Sequence, residues 1–172
     1  MVKFYLVRHG ETDWNAQGRF QGREDIPLNE KGLQQAGDCG KGLKKTGIVF
    51  DHIVASPLMR AYVTAETIAE YVGVSEITKD VRLIERDFGQ ISGRKKEERE
   101  KMFASGKEYG VEDEGEVAGR MQQVLDGLTG ETYHHVVVVS HGAAIRALLR
   151  KYAEPGSVPA TKVQENVNIT TL

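Results

Sequence analysis

Leu6-Val7-Arg8-His9-Gly10-Glu11-Thr12 is the stretch on which the reading of this chain turns. Residues 2–7, which lead into it, are rich in β-branched and aromatic side chains and predict a strand. The chain then passes from apolar to charged within one residue. Arg8 and His9 therefore stand where a buried strand leaves its sheet. In open α/β sheets that C-terminal edge is where ligands bind. A cation and an imidazole placed there, followed by the flexible Gly10, make a candidate anion site that contains a nucleophile.

Two further strands end in the same loaded way. Residues 50–55 predict a second strand, and Ser56-Pro57 predicts the start of a helix, with Ser56 as N-cap and Pro57 at the first helical position. That helix runs to about Val72, stops at Gly73 and carries Arg60 in its first turns. Val136 to Val139 are four successive valines. Such a run is buried on both faces, as in a central parallel strand. It ends in Ser140-His141-Gly142, and a helix follows from Ala143 to about Tyr152. Parallel strands would bring these ends to one edge, gathering two arginines, two histidines and at least one helix N-terminus.

The remaining chain fits the same plan. Residues 11–26 are too polar for a core element and read as an active-site loop. Asn29 caps a helix that extends to about Lys45. Residues 81–84 read as a short strand or extended segment. Residues 86–115 are dominated by charges and glycines and read as an insertion over the sheet edge, with a short helix at about 94–105. A helix over 116–128 and a last strand over 166–172 complete the chain. Strands alternating with helices predict an α/β fold, a three-layer α/β/α sandwich with a mostly parallel central sheet. No repeat or linker divides the 172 residues, so a single domain, 1–172, is expected.

Bulk properties narrow the function. Hydrophobic content is 40% and charged content 28%, as in ordinary globular proteins. A net charge of −2 supplies no basic field, so no nucleic acid is expected as partner. No apolar run approaches the ~20 residues of a membrane span, and no secretory leader pattern opens the sequence. Cys39 is the one cysteine and cannot pair internally, which suits a reducing, cytoplasmic setting.

The chemistry of the gathered residues favours phosphate. Arginine forks pair with phosphate oxygens, and helix N-termini offer free N–H groups. There is no P-loop, no cysteine in these motifs and no paired carboxylate set for two metals, so neither metal nor cofactor is expected. A neutral imidazole is a competent nucleophile for phosphoryl transfer. His9 is the best candidate because it leaves the strand beside Arg8, with His141 bonding the same phosphoryl oxygens. Glu85, which opens the insertion, is placed to protonate the leaving alkoxide, with Asp87 as the fallback acid. His52, His134 and His135 carry no motif. Trp14 reads as packing for the polar loop, with stacking on a substrate as the alternative; Arg94-Lys95-Lys96 reads as a solvated helix face, with contact to a substrate carboxylate or second phosphate as the alternative; and Glu112-Asp113-Glu114 reads as an exposed acidic patch near a helix start.

The ordered string Arg8-His9-Gly10-Glu11-Thr12, Trp14-Asn15, Phe20-Gln21-Gly22 and Pro27-Leu28-Asn29, with Gly32 and Gln35-Ala36, resembles the histidine phosphatase superfamily, also called phosphoglycerate mutase-like. Ser56-Pro57-Leu58-Met59-Arg60-Ala61 with Thr64-Ala65, Glu85 followed by Gly89, and His141-Gly142 match the family in the same order. The resemblance implies that His9 is the phosphorylated nucleophile and Glu85 the proton donor, with Arg8, Arg60 and His141 forming the phosphate pocket. It also implies that Asn15, Gln21, Gly22 and Gly142 line the substrate phosphate or its surroundings. Within the family the short insertion favours a phosphomonoesterase acting on a small phosphorylated metabolite. A cofactor-dependent phosphoglycerate mutase is the alternative, and a non-catalytic binder of phosphorylated ligands a third.

Overall fold

The computed structural model describes residues 1–152 and 166–172. Strands β1 (Lys3–Arg8), β2 (His52–Ala55), β3 (Ile77–Lys79), β4 (His135–Ser140) and β5 (Ile169–Thr171) form one sheet in the order β3-β2-β4-β1-β5. Only β5 runs antiparallel, on β1; all other pairs are parallel. The valine strand β4 is central, as its unbroken apolar run requires, and Val136 to Val139 are wholly buried.

The two-residue period of the strands divides the core. Phe4, Leu6, Val54, Val136 and Val138 face helices α5 (Glu114–Thr129) and α6 (Gly142–Tyr152), meeting Met121, Leu125, Ile145 and Leu148. Tyr5, Val7, Ile53, Ala55, Val137 and Val139 face α2 (Glu30–Lys45) and α3 (Met59–Val72), meeting Leu43, Ala61, Ala65 and Ile68. The result is the expected mixed α/β sandwich, with helices on both faces of a mostly parallel sheet.

Register places the site. Arg8 pairs with Ser140, and Val139 with Ala55. The residues that follow, His9, His141 and Ser56, therefore leave the sheet at nearly one level. This is the C-terminal edge at which parallel strands present ligand-binding groups.

Local structure departs from expectation in several places. Ser56 is not the cap of α3, which begins at Met59 after Leu58 with no side-chain cap bond. The Leu58 N–H donates to Ser56 Oγ at 3.3 Å in a tight turn, and the hydroxyl also meets a distant histidine. Residues 81–84 are not a strand: Val81–Leu83 form a 3₁₀ turn capped by Asp80, and the strand lies earlier, at β3. The polar loop contains a short helix, α1 (Asp13–Ala16), closed by reciprocal bonds between Thr12 and Asn15. α4 (Lys96–Ala104) falls within the expected short helix. α5 starts two residues early because the Asp113 carboxylate accepts from the N–H groups of Gly115 and Glu116. The last strand is shorter than 166–172. α2 begins after Asn29, whose Oδ1 accepts from Gly32 N–H, and α3 stops at Gly73 in the left-handed region, φ 77°.

Candidate active site

A cleft of about 800 Å³ opens at the C-terminal edge of the sheet. Of the residues singled out in the sequence, Arg8, His9, Asn15, Gln21, Glu85 and Gly142 line it. Arg60, His141 and Gly22 do not; they lie beneath it, with Arg60 and His141 fully buried.

His9 is held in one tautomer. Its Nδ1–H donates to the Gly10 carbonyl at 2.7 Å, so Nε2 keeps its lone pair. Arg60 Nε approaches that Nε2 at 3.3 Å. Burial, then the charges of Arg60 and Arg8, hold the His9 imidazolium far below the ordinary value of 6.5, so the ring is neutral at physiological pH. His141 packs against it, with ring centroids 5.1 Å apart. Burial first, then Arg60, His9 and Arg8, depress its pKa as well. His141 Nε2 bonds Ser56 Oγ at 2.8 Å, while the buried Nδ1 has no partner among the described residues.

Arg60 is anchored by carbonyls. Its Nη1 donates to Glu24 O at 2.6 Å and its Nη2 to Gly22 O at 2.8 Å. Burial pushes its pKa down to about 10, which leaves it cationic at neutral pH. Gly22 has φ 52°, and a Cβ there would lie 2.8 Å from Ser92 Oγ. Only glycine presents this carbonyl without strain. Gly142 plays a steric part, because a Cβ would lie 3.2 Å from Arg8 Nε where that side chain crosses the start of α6.

Glu85 is almost fully buried, and its carboxylate is held by the first turn of α6. Its Oε1 accepts from the N–H groups of Arg86 at 2.8 Å and Ala144 at 2.9 Å, and its Oε2 from Ala143 N–H at 3.2 Å. Asp87, the fallback acid, turns away from the cleft: it accepts from Gly89 N–H at 2.7 Å and approaches Arg23 at 3.7 Å.

Asn15 and Gln21 meet at Thr12. Asn15 Oδ1 accepts from Thr12 N–H at 3.1 Å, and Gln21 Oε1 from the Thr12 hydroxyl at 2.8 Å. Asn166, from the far end of the chain, donates to the His9 carbonyl at 2.9 Å. The outer wall adds Arg19, Phe20, Phe88, Lys96, Arg99 and Arg146. Phe20 and Phe88 meet edge to face at 5.1 Å, and the Arg99 guanidinium lies 4.8 Å from the Phe20 ring.

Several of these were not read from the sequence. Thr64, which entered only within the family match and without a role, accepts from Gly10 N–H at 3.1 Å through Oγ1; its signal was a position one helical turn beyond Arg60, on the same face. The part of Ser56 was misread as a local cap. Lys96 reaches the cleft although its run was read as a solvated face. Glu112 is no exposed acid: its side chain is 12% exposed and bonded to Arg120. Burial pushes the Glu112 pKa up, but hydrogen bonds from Arg120 and Asp87 N–H outweigh it and leave it lowered. Trp14 does pack the loop, lying 3.4 Å from where a Gly93 Cβ would stand. Among the described residues no cluster of three His, Cys, Asp or Glu side chains could hold a metal, and no helix is long and apolar enough to cross a membrane.

The sequence profile of the histidine phosphatase superfamily (branch 1) matches residues 4–172. The chain belongs to this family. It is 42% identical over 151 residues to the uncharacterised phosphatase PhoE of Bacillus subtilis, covering 87% of this chain and 76% of that protein. It is 40% identical over 161 residues to a probable phosphoglycerate mutase, GpmB, of Erwinia tasmaniensis, covering 87% and 74%. The structure of a mycobacterial glucosyl-3-phosphoglycerate phosphatase complexed with VO3 superposes with a TM-score of 0.86 at 28% identity, covering 99% of this chain and 90% of that one. The family therefore makes this chain an enzyme of the phosphatase and mutase class.

Proposed function

We propose that this protein is a metal-independent phosphomonoesterase that hydrolyses a small phosphorylated metabolite through a phosphohistidine on His9. The observation that carries this reading is the state of His9: neutral, fixed by Gly10, with the Nε2 lone pair turned to the buried Arg60, whose Nε–H donates to it. In the first step Nε2 attacks phosphorus and the ester P–O bond breaks. Glu85 gives its proton to the departing alkoxide. In the second step Glu85 takes a proton from water as the water attacks, the P–N bond breaks, and inorganic phosphate leaves. Arg8, Arg60 and His141 hold the charge spread over the equatorial oxygens, with Nδ1 of His141 as an unused buried group for one of them. Asn15, Gln21, Gly22 and Gly142 shape the phosphate site.

Residues 86–115 form the wall over the leaving group of this single-domain enzyme. The cations Arg19, Lys96, Arg99 and Arg146 on the cleft favour a small phosphorylated substrate over a neutral one. A cytoplasmic setting accords with the single buried thiol, Cys39. The likeness to probable phosphoglycerate mutases supports a second reading, in which the same phosphohistidine passes its phosphoryl group to a second alcohol.

The test is phosphate release from p-nitrophenyl phosphate in excess EDTA, by the wild type and by His9→Ala. Release by the wild type, reduced on the order of ten-thousandfold or more in the variant, is expected. Equal release by both would remove His9 from the mechanism. Failure to release phosphate, together with interconversion of phosphoglycerates in the presence of a bisphosphate primer, would establish the mutase reading instead.

A further inference from the structure

Arg120 lies on α5, away from the cleft, yet all five of its N–H groups are engaged around Glu85. Nη1 donates to the carbonyls of Arg82 and Ile84, both at 2.6 Å, and Nη2 to the carbonyl of Glu85 itself at 3.1 Å. Nε and Nη2 also grip the Glu112 carboxylate, at 3.0 and 3.1 Å. Glu112 completes the ring. Its Oε2 accepts from Asp87 N–H at 2.9 Å, its own N–H donates to Asp87 O at 2.9 Å, and its carbonyl accepts from Arg86 Nε at 2.7 Å. The backbone on both sides of Glu85 is thus fixed to one planar guanidinium and its carboxylate partner. The Glu85 side chain is fixed separately, by the first turn of α6.

The chain around Glu85 is anchored upstream by the buried Leu83, whose carbonyl accepts from Ser140 Oγ at 2.8 Å, but its own backbone carbonyls at Ile84 and Glu85 are held by Arg120. It follows a single 3₁₀ turn and precedes a segment with no strand pairing to the sheet. We infer that Arg120, locked to Glu112, is a positioning residue that sets Glu85 at the height over His9 from which it protonates the leaving alkoxide. This rests on the assignment of Glu85 as the proton donor. A lysine in place of Arg120 offers three donors from one point, which cannot span three carbonyls and a carboxylate. The misplacement it causes should be felt only where a proton must be delivered.

Two esters of similar shape separate this role from a general structural one. p-Nitrophenyl phosphate expels a stable phenolate and needs little proton transfer, whereas phenyl phosphate expels a more basic one and depends on the acid. The quantity to compare is kcat/KM, which reports phosphoryl transfer to the enzyme. Arg120→Lys is expected to fall about a hundredfold on phenyl phosphate and less than about tenfold on p-nitrophenyl phosphate. Glu85→Gln should show the same split. Equal losses of Arg120→Lys on both esters, or none on either, would overturn the inference while the Glu85→Gln split stands. If Glu85→Gln loses both esters equally, the assignment of the acid fails, and the inference fails with it. Thermal melting checks that the variants fold. Should Arg120→Lys not fold, Glu112→Gln carries the same comparison, and misfolding of both would reduce the pair to a structural role and overturn it.

Discussion

At the floor of the cleft His9, and beneath it Arg60 and His141, are 2%, 0% and 0% exposed, while Lys96 on the outer wall is open to solvent and Arg99 half-buried. The floor is built from the ends of three adjacent strands in fixed register, and each of its groups is anchored by a carbonyl, a hydroxyl or a neighbouring ring. The wall includes α4, a helix without a buried residue, whose Arg99 is steadied by the faces of Phe20 and Phe103. Preorganised charge in a dry site acts strongly on a transition state, because no reorganisation is needed as charge develops. Screened charge at a solvent boundary acts mainly on binding. The floor should therefore govern turnover and the wall selectivity.

The sharpest test of that division sets Arg60→Lys against Arg99→Ala. Lysine cannot keep the contact to His9 Nε2 and the two carbonyl bonds together. Its kcat on p-nitrophenyl phosphate should fall about a hundredfold or more. Arg99→Ala should leave kcat nearly intact and raise KM less than about tenfold on an anionic ester. If kcat falls equally in both, the wall takes part in the chemical step and the division collapses.

Acidity separates the two regions next. Burial keeps His9 and His141 neutral in the folded protein, whereas the unfolded chain protonates both near 6.5. The unfolded state thus binds more protons below that pH, and stability falls as pH drops from about 6.5, by up to about 1.4 kcal/mol per pH unit for each histidine. Glu98 and Glu112, around the wall, have lowered carboxyl pKa values. What they contribute is present above the ordinary value of 4.5 and is lost only as pH falls below it. Urea unfolding between pH 7.5 and 5.5 therefore reports mainly the floor, with a smaller part from the half-buried His52, whose pKa burial also lowers, and His141→Gln should reduce the slope by somewhat less than half. A flat profile would mean that the floor takes up protons without unfolding.

The same contrast explains what could be read in the sequence. Arg8-His9 and Ser140-His141 were legible because each follows a run of buried apolar residues, and a strand end is a local pattern. Glu85 was legible through its place at the head of a charged segment. Ser56 was misjudged because Ser-Pro has a strong local meaning as a helix start, while its hydroxyl is taken up by His141, 85 residues away. Ile77-Thr78-Lys79 escaped notice because a three-residue edge strand with one apolar side chain has no period to detect. Arg120 and Asn166 carried no signal, since the backbone carbonyls that Arg120 holds around Glu85, and the His9 carbonyl that Asn166 holds, are brought near only by the fold. Local chemistry at strand ends is written in the chain; the long-range bonds that aim it are not.

Glycines give the smallest and most local form of the comparison. At the floor, Gly10 and Gly32 approach so closely that a Cβ on Gly10 would stand 2.4 Å from Gly32 O, and one on Gly32 would stand 2.1 Å from Glu11 O. Neither obstacle is a flexible side chain, so alanine must displace the backbone that carries His9. Gly32→Ala should cost about 1–3 kcal/mol of stability and lower activity with it. Gly119, in the middle of α5, has nothing within 4 Å of its would-be Cβ. There alanine removes only the excess freedom of glycine in a helix, and Gly119→Ala should add up to about 1 kcal/mol with activity unchanged. Urea denaturation with a phosphatase assay on each variant reads both quantities. A Gly32→Ala protein as stable and active as the wild type would mean that the floor can yield by the width of a methyl group, and its rigidity could then no longer explain why the floor, and not the wall, governs turnover.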